Sequence, residues 1–102
     1  MDNKISDQEN VLLVGVISKI NNQSIVEEHL QELCLLVKTA GAKVVGMVTQ
    51  KVSKINPVTL IGVGKAKQII SQAKEIGAKI IIFDDELSPA QIKNYHKMSK
   101  NI

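Results

Sequence analysis

The chain has 102 residues, 44% of them hydrophobic and 23% charged, with a net charge of +3. That is the length of one domain, and a domain of this size buries about 65% of the surface its unfolded chain exposes. Every basic residue is lysine and the only aromatic residues are Phe83 and Tyr95. The chain therefore lacks arginine for bidentate recognition of phosphate or guanine, and it has no platform on which several bases would stack.

The mildly basic surface permits contact with nucleic acid, but it reads first as an ordinary soluble surface. The core must be aliphatic, built from Ile, Val, Leu and Ala. Cys34 is the single cysteine. It sits inside a helical pattern, has no disulfide partner and reads as a small buried hydrophobe in a cytoplasmic protein. The opening stretch MDNKISDQEN is polar and unlike a signal peptide. No apolar run reaches the ~18 residues of a membrane helix.

Residues 1–10 are expected to be flexible, with one α/β domain over 11–102. VLLVGVI, Val11 to Ile17, is continuously apolar and β-branched, as in a strand covered on both faces of a parallel sheet. A helix follows from Ser24, with Glu27 completing a capping box. Val26, Leu30, Leu33, Val37 and Ala40 recur on its apolar face, and Gly41 ends it.

The second strand is expected from Lys43 to Gln50, followed by a loop containing Pro57. Thr59 to Ile61 reads as a short third strand and Gly62-Val63-Gly64 as a turn. A second helix runs from Lys65 to Ile76 and ends at Gly77. Lys79 to Asp84 is another buried strand. Ser88, Pro89 and Gln91 then open a third helix with a second capping box, and Ile92 and Tyr95 form its apolar side.

AGAKVVGM at Ala40 to Met47 resembles IGAKIIIF at Ile76 to Phe83: in each, a helix ends at Gly and a buried strand follows Ala-Lys. The sum is an α/β fold in β-α-β-β-α-β-α order, with a mostly parallel four-stranded sheet flanked by helices. The link between the second and third strands is too short for a parallel crossover, which allows a mixed sheet at that point. The alternation predicts a further strand after MSKNI, so the domain reads as one piece of a longer protein. A missing strand would leave an open sheet edge that favours homodimers.

TLIGVGKAK, Thr59 to Lys67, looks like the start of a phosphate-binding loop. A Walker A loop needs GxxxxGK followed by Ser or Thr. Here Ala66 follows Lys65, and Thr59 stands where the first glycine should be. The dinucleotide fingerprint GxGxxG fails as well, for want of a third glycine. Lysines in the first turn of a helix oppose its dipole. Gly62, Gly64, Lys65 and Lys67 are thus either an anion site at exposed backbone amides or a helix start with solvated lysines.

Asp84 and Asp85 fall at the carboxyl end of a strand, where α/β sheets bind ligands. They are either magnesium ligands or solvated acids that favour the next helix. A Mg-nucleotide is the cofactor those two options together would imply; otherwise none is required. His29 and His96 each stand alone and read as surface residues.

Several stretches in order, VLLVGV, EEHLQEL, TAGAKVVGMVTQK, TLIGVGK and IIFDDELSPAQIKN, resemble the N-terminal domain of HflX-type GTPases. The matching positions are Gly41, Gly46, Gln50, Thr59, Gly62, Gly64 and Lys65, then Asp84 to Gln91 with Asn94. Val63 departs from the pattern, since many members carry lysine there. The resemblance implies a cytoplasmic, ribosome-associated protein that acts on the large subunit and its RNA, and separates ribosomes under stress. It also implies an α/β domain followed by a helical hairpin and a G domain that binds GTP and Mg. GxxxxGK[ST], DxxG and NKxD do not occur in this chain, so hydrolysis is not assigned to it. Its expected role is that of a non-catalytic domain in contact with the ribosome and the G domain. A nucleotide-binding module, with ATP binding or hydrolysis, and a plain interaction scaffold are the alternatives.

Overall fold

The computed structural model describes residues 9–99. The expected flexible N-terminus lies outside these residues, apart from its last two positions. The elements are β1 (Asn10–Ile17), α1 (Gln23–Thr39), β2 (Lys43–Lys51), α2 (Val63–Glu75), β3 (Ile80–Phe83) and α3 (Pro89–Ser99). β1 lies at the centre of a sheet of order β2-β1-β3, and both of its pairings are parallel.

β1 is buried along nearly its whole length, and its alternate residues feed two separate cores. Val11, Leu13 and Ile17 pack with Val26, Leu30 and Val37 of α1. Leu12, Val14 and Val16 pack on the opposite face with Ala66, Ile69, Ile70 and Ala73 of α2 and Tyr95 of α3. A continuous apolar run is needed because neither face of β1 meets water.

The expected four-stranded sheet, mostly parallel with allowance for a mixed pairing, has, among the described residues, three strands, all parallel. Thr59–Ile61 is not a strand; the only pairing there is an antiparallel backbone bridge between Asn56 and Leu60. The Asn56 side chain accepts from the amides of Val58 and Thr59 at 2.8 and 3.1 Å, which closes the segment into a turn. Leu60 then takes a φ of 69°, which no extended strand allows. With that strand gone, β2 reaches β3 through α2, a crossover of ordinary length.

The repeated Gly-Ala-Lys stretches share one helix ending. Gly41 and Gly77 have φ values of 93° and 77°. Ala42 N donates to Val37 O, and Ala78 N donates to Ala73 O, at 3.2 and 2.8 Å. Both are Schellman endings that turn the chain straight into a strand. The start of α1 differs from expectation: Asn22, not Ser24, caps it, accepting from Ile25 N at 3.0 Å. The second box stands as expected, with Ser88 N donating to Gln91 Oε1 at 2.8 Å and Gln91 N donating to Ser88 Oγ at 3.1 Å.

Candidate functional site

The Thr59–Lys67 stretch lies at the carboxyl edge of the sheet, between the end of β2 and the body of α2. Ile61 N donates to Thr59 O at 2.7 Å, a tight three-residue turn centred on Leu60. A non-glycine residue at positive φ costs roughly 1–3 kcal/mol. The Leu60 side chain is buried, and that burial offsets the strain.

Three side chains from one face of α3 hold the turn. Gln91 Nε2 donates to Asn56 O at 2.9 Å, Asn94 Nδ2 to Val58 O at 3.0 Å, and the Tyr95 hydroxyl to Thr59 O at 2.7 Å. Burial pushes the Tyr95 phenol above its ordinary value, so it remains a donor. Its ring also packs at 5.1 Å, tilted, against Phe83. Beside it, the buried Thr59 Oγ1 has no hydrogen-bond partner.

Gly62 precedes α2 with φ 95° and ψ 148°, and no side chain caps the helix. Only glycine occupies that backbone region readily. Gly64 is inside the helix, with open space where a Cβ would stand. The Lys65 ammonium donates to the carbonyl of Lys51 at the end of β2. Lys67 instead borders a shallow surface with Lys74 and Met98. Gly62, Gly64 and Lys65 are together at the start of α2 through their nearness in sequence, whereas Lys67, two residues beyond Lys65, does not share its side of the helix.

Asp84 directly follows β3, its amide donating to Val14 O at 2.8 Å. Its carboxylate lies 3.5 Å from His29 Nδ1 on α1. Burial holds Asp84 above the usual carboxylate range; Asp85 and Glu32 add to that, while His29 opposes it. Asp85 Oδ1 accepts from Glu86 N at 2.9 Å and is otherwise exposed. The Asp84 carboxylate pairs toward α1, on the sheet face opposite α2. β2 and β3 are also separated by β1, which puts them about 10 Å apart. The Lys65 ammonium, at the end of β2, and Asp84, after β3, therefore lie on opposite sides of β1. Among the described residues, no group of three His, Cys, Asp or Glu side chains stands where it could hold a metal.

The sequence reading missed the His29–Asp84 pair, which joins two elements far apart in the chain and leaves no local signal. It also missed the α3 donors, although Gln91, Asn94 and Tyr95 fall at i, i+3 and i+4, the spacing of one helical face.

Comparison with known proteins decides the family. The family model described as GTP-binding GTPase N-terminal matches residues 27–101. The chain belongs to this family. It is 39% identical over 90 residues to GTPase HflX of Flavobacterium psychrophilum, covering 88% of this chain and 22% of the relative. It is 39% identical over 95 residues to GTPase HflX of Alkalihalophilus pseudofirmus, covering 93% and 22%. With GTPase HflX of Escherichia coli it shares 37% identity over 71 residues, covering 70% and 17%. The chain thus spans about a fifth of the length of the curated relatives it matches, and it corresponds to the N-terminal domain of HflX-type GTPases. No helix among the described residues is long and apolar enough to cross a membrane.

Proposed function

We propose that this domain is the non-catalytic N-terminal part of a cytoplasmic HflX-type GTP-binding protein. It helps seat the parent protein on the large ribosomal subunit and influences the G domain by contact. GTP and Mg belong to that G domain. The observation that carries this reading is the family match over residues 27–101 in a chain without the GTPase motifs.

The charge pattern supports an RNA contact. Lys51, Lys54 and Lys65 lie near the carboxyl end of β2, whereas Asp84, Asp85 and Glu86 lie at that of β3. Lysines are point charges suited to the phosphate backbone, and such contacts position a protein without reading sequence. A nucleotide-binding reading of Gly62 to Lys67 retains one supporting feature, the start of α2 that no side chain caps.

Sedimentation of the domain with purified large ribosomal subunits tests the proposal. Binding should weaken steeply with added salt and should fall in the exposed double variant Lys51→Glu, Lys54→Glu. No co-sedimentation at low salt, or binding indifferent to both changes, would refute a lysine-mediated role in seating.

A further inference from the structure

The carboxyl edge of the sheet carries a cavity that no lysine borders. The turn before α2 and the loop between β3 and α3 enclose an open space of about 350 Å3, lined by Ile55, Leu60, Asp85, Glu86, Leu87 and Pro89. Its walls are preset. The amides of Asn56 and Leu60 donate to each other's carbonyls at 2.8 Å, and Gln91 of α3 ties the same turn down. Ile55 is 46% exposed, whereas Leu60 is buried and Leu87 half-buried.

The acids that follow β3 divide between two faces. The Asp84 carboxylate turns to His29 on the α1 side, while Asp85 and Glu86 border the cavity beside the start of α3. Asp85 Oδ1 accepts from Glu86 N at 2.9 Å, which orients that carboxylate. Among the described residues, no cationic side chain pairs with Asp85 or Glu86. The neighbouring polar groups are already engaged: Gln91 bonds Ser88 N and Asn56 O, and Ser88 Oγ accepts from Gln91 N. An aliphatic wall with two adjacent carboxylates at its rim is complementary to arginine. Its methylene stem lies along apolar surface while its planar guanidinium meets paired acceptors. Lysine shares the stem and the charge, but its ammonium is a compact point charge without the fork.

We infer that this cavity docks an arginine of a basic protein segment, lying beside the RNA that the lysines contact. The inference rests on the proposed seating on a ribosomal surface. Lys51, Lys54 and Lys65 lie on the β2 side of β1, and Asp85 and Glu86 on the β3 side, about 10 Å away. A phosphate chain laid along the lysines is repelled where it nears the carboxylates. The neighbour on that side must therefore be cationic. In a surface made of RNA and protein, the cationic component is protein, because basic arms are what nucleic acid holds.

The test titrates this chain, followed by amide NMR at low salt, with three end-blocked peptides: Gly-Gly-Arg-Gly-Gly and its lysine and alanine counterparts. Arginine docking predicts saturable shifts at Ile55, Leu60 and Asp85 to Gln91 with the first peptide and none with the alanine peptide. The lysine peptide should bind about three-fold more weakly than the arginine one. The double variant Asp85→Asn, Glu86→Gln should weaken the arginine peptide about ten-fold, and Ile55→Ser, at an exposed wall, about three-fold. Equal binding of the lysine peptide, indifference to the double variant, or shifts spread equally over Glu27, Glu28 and Glu32 of α1 would overturn the inference. So would an absence of shifts at the cavity. A second arm repeats the sedimentation with large ribosomal subunits, using the same double variant. Beside RNA alone, removing two negative charges strengthens binding; beside a basic protein segment, it weakens binding. Weaker co-sedimentation is the expected result, and unchanged or stronger co-sedimentation would overturn the inference. The peptide arm needs no ribosome, so failure of this docking and failure of the proposed seating show in separate measurements.

Discussion

The Tyr95 hydroxyl on α3 donates to the carbonyl of Thr59, 36 residues away in sequence, at 2.7 Å. This bond ties the third helix to the turn that launches the second. With the Gln91 and Asn94 bonds, it couples the SPAQ-x-x-N stretch to the Thr-Leu-Ile-Gly stretch. Two of the stretches that carry the family resemblance are thus two sides of one junction.

Tyr95→Phe removes that donor while keeping the ring. Thr59 O still accepts from Ile61 N, so the loss should be about 1 kcal/mol, read from urea unfolding. The pH dependence follows from burial of the phenol, which raises its folded value. Below about pH 10, the phenol is neutral in both states and contributes no slope. As pH rises beyond that, the unfolded chain ionises first and binds fewer protons, so stability falls. Tyr95→Phe should lose this alkaline decline.

The two glycines of the GVG stretch should respond oppositely. Gly62→Ala forces a side chain onto φ 95° and should destabilise the fold by roughly 1–3 kcal/mol. Gly64→Ala sits in a helix with open space around the new methyl. It should be neutral or stabilising by up to ~1 kcal/mol. Thermal unfolding of the two variants side by side separates them.

The Thr59 hydroxyl is buried without a partner. Thr59→Val keeps the shape and removes the unsatisfied group, so it should raise stability by about 1 kcal/mol. A loss in chemical denaturation would mean that the hydroxyl is bonded in solution.

Asp84 is held above the ordinary carboxylate range, chiefly by burial. Its ionisation therefore works against the fold: the stability it permits is full at low pH and is lost as pH rises through its folded value. Asp84→Asn should accordingly gain more stability at pH 7 than at pH 3 in paired denaturation curves. An equal effect at both would show that the carboxyl titrates alike in the folded and unfolded chain.

Much of this fold is legible in local sequence because local chemistry decides it. Gly41 and Gly77 end helices, Ser88 and Gln91 start one, and the unbroken apolar run of β1 announces two covered faces. The reading fails where tertiary contacts decide. Thr59–Ile61 has the composition of a strand, yet Asn56 and the donors of α3 fold it into a turn. Asn22 and Ser24 are both good caps, and it is Asn22 that accepts from Ile25 N. At the candidate site, glycine and lysine spacing suggests a cradle, but helical geometry sends Lys67 away and the carbonyl of Lys51 engages Lys65. Asp84 was legible as a strand-end carboxylate. Its turn toward His29 was not, because that direction depends on which face α1 covers.

The central claim is that this domain acts by docking and not by handling nucleotide. An amide NMR titration with Mg-ATP, Mg-GTP and inorganic phosphate at low salt tests it most directly. The account predicts no localised shifts from Gly62 to Lys67 at millimolar ligand. Localised shifts there, abolished by Lys65→Ala and extending to Asp84 and Asp85 with magnesium, would contradict it and make the stretch a working phosphate site.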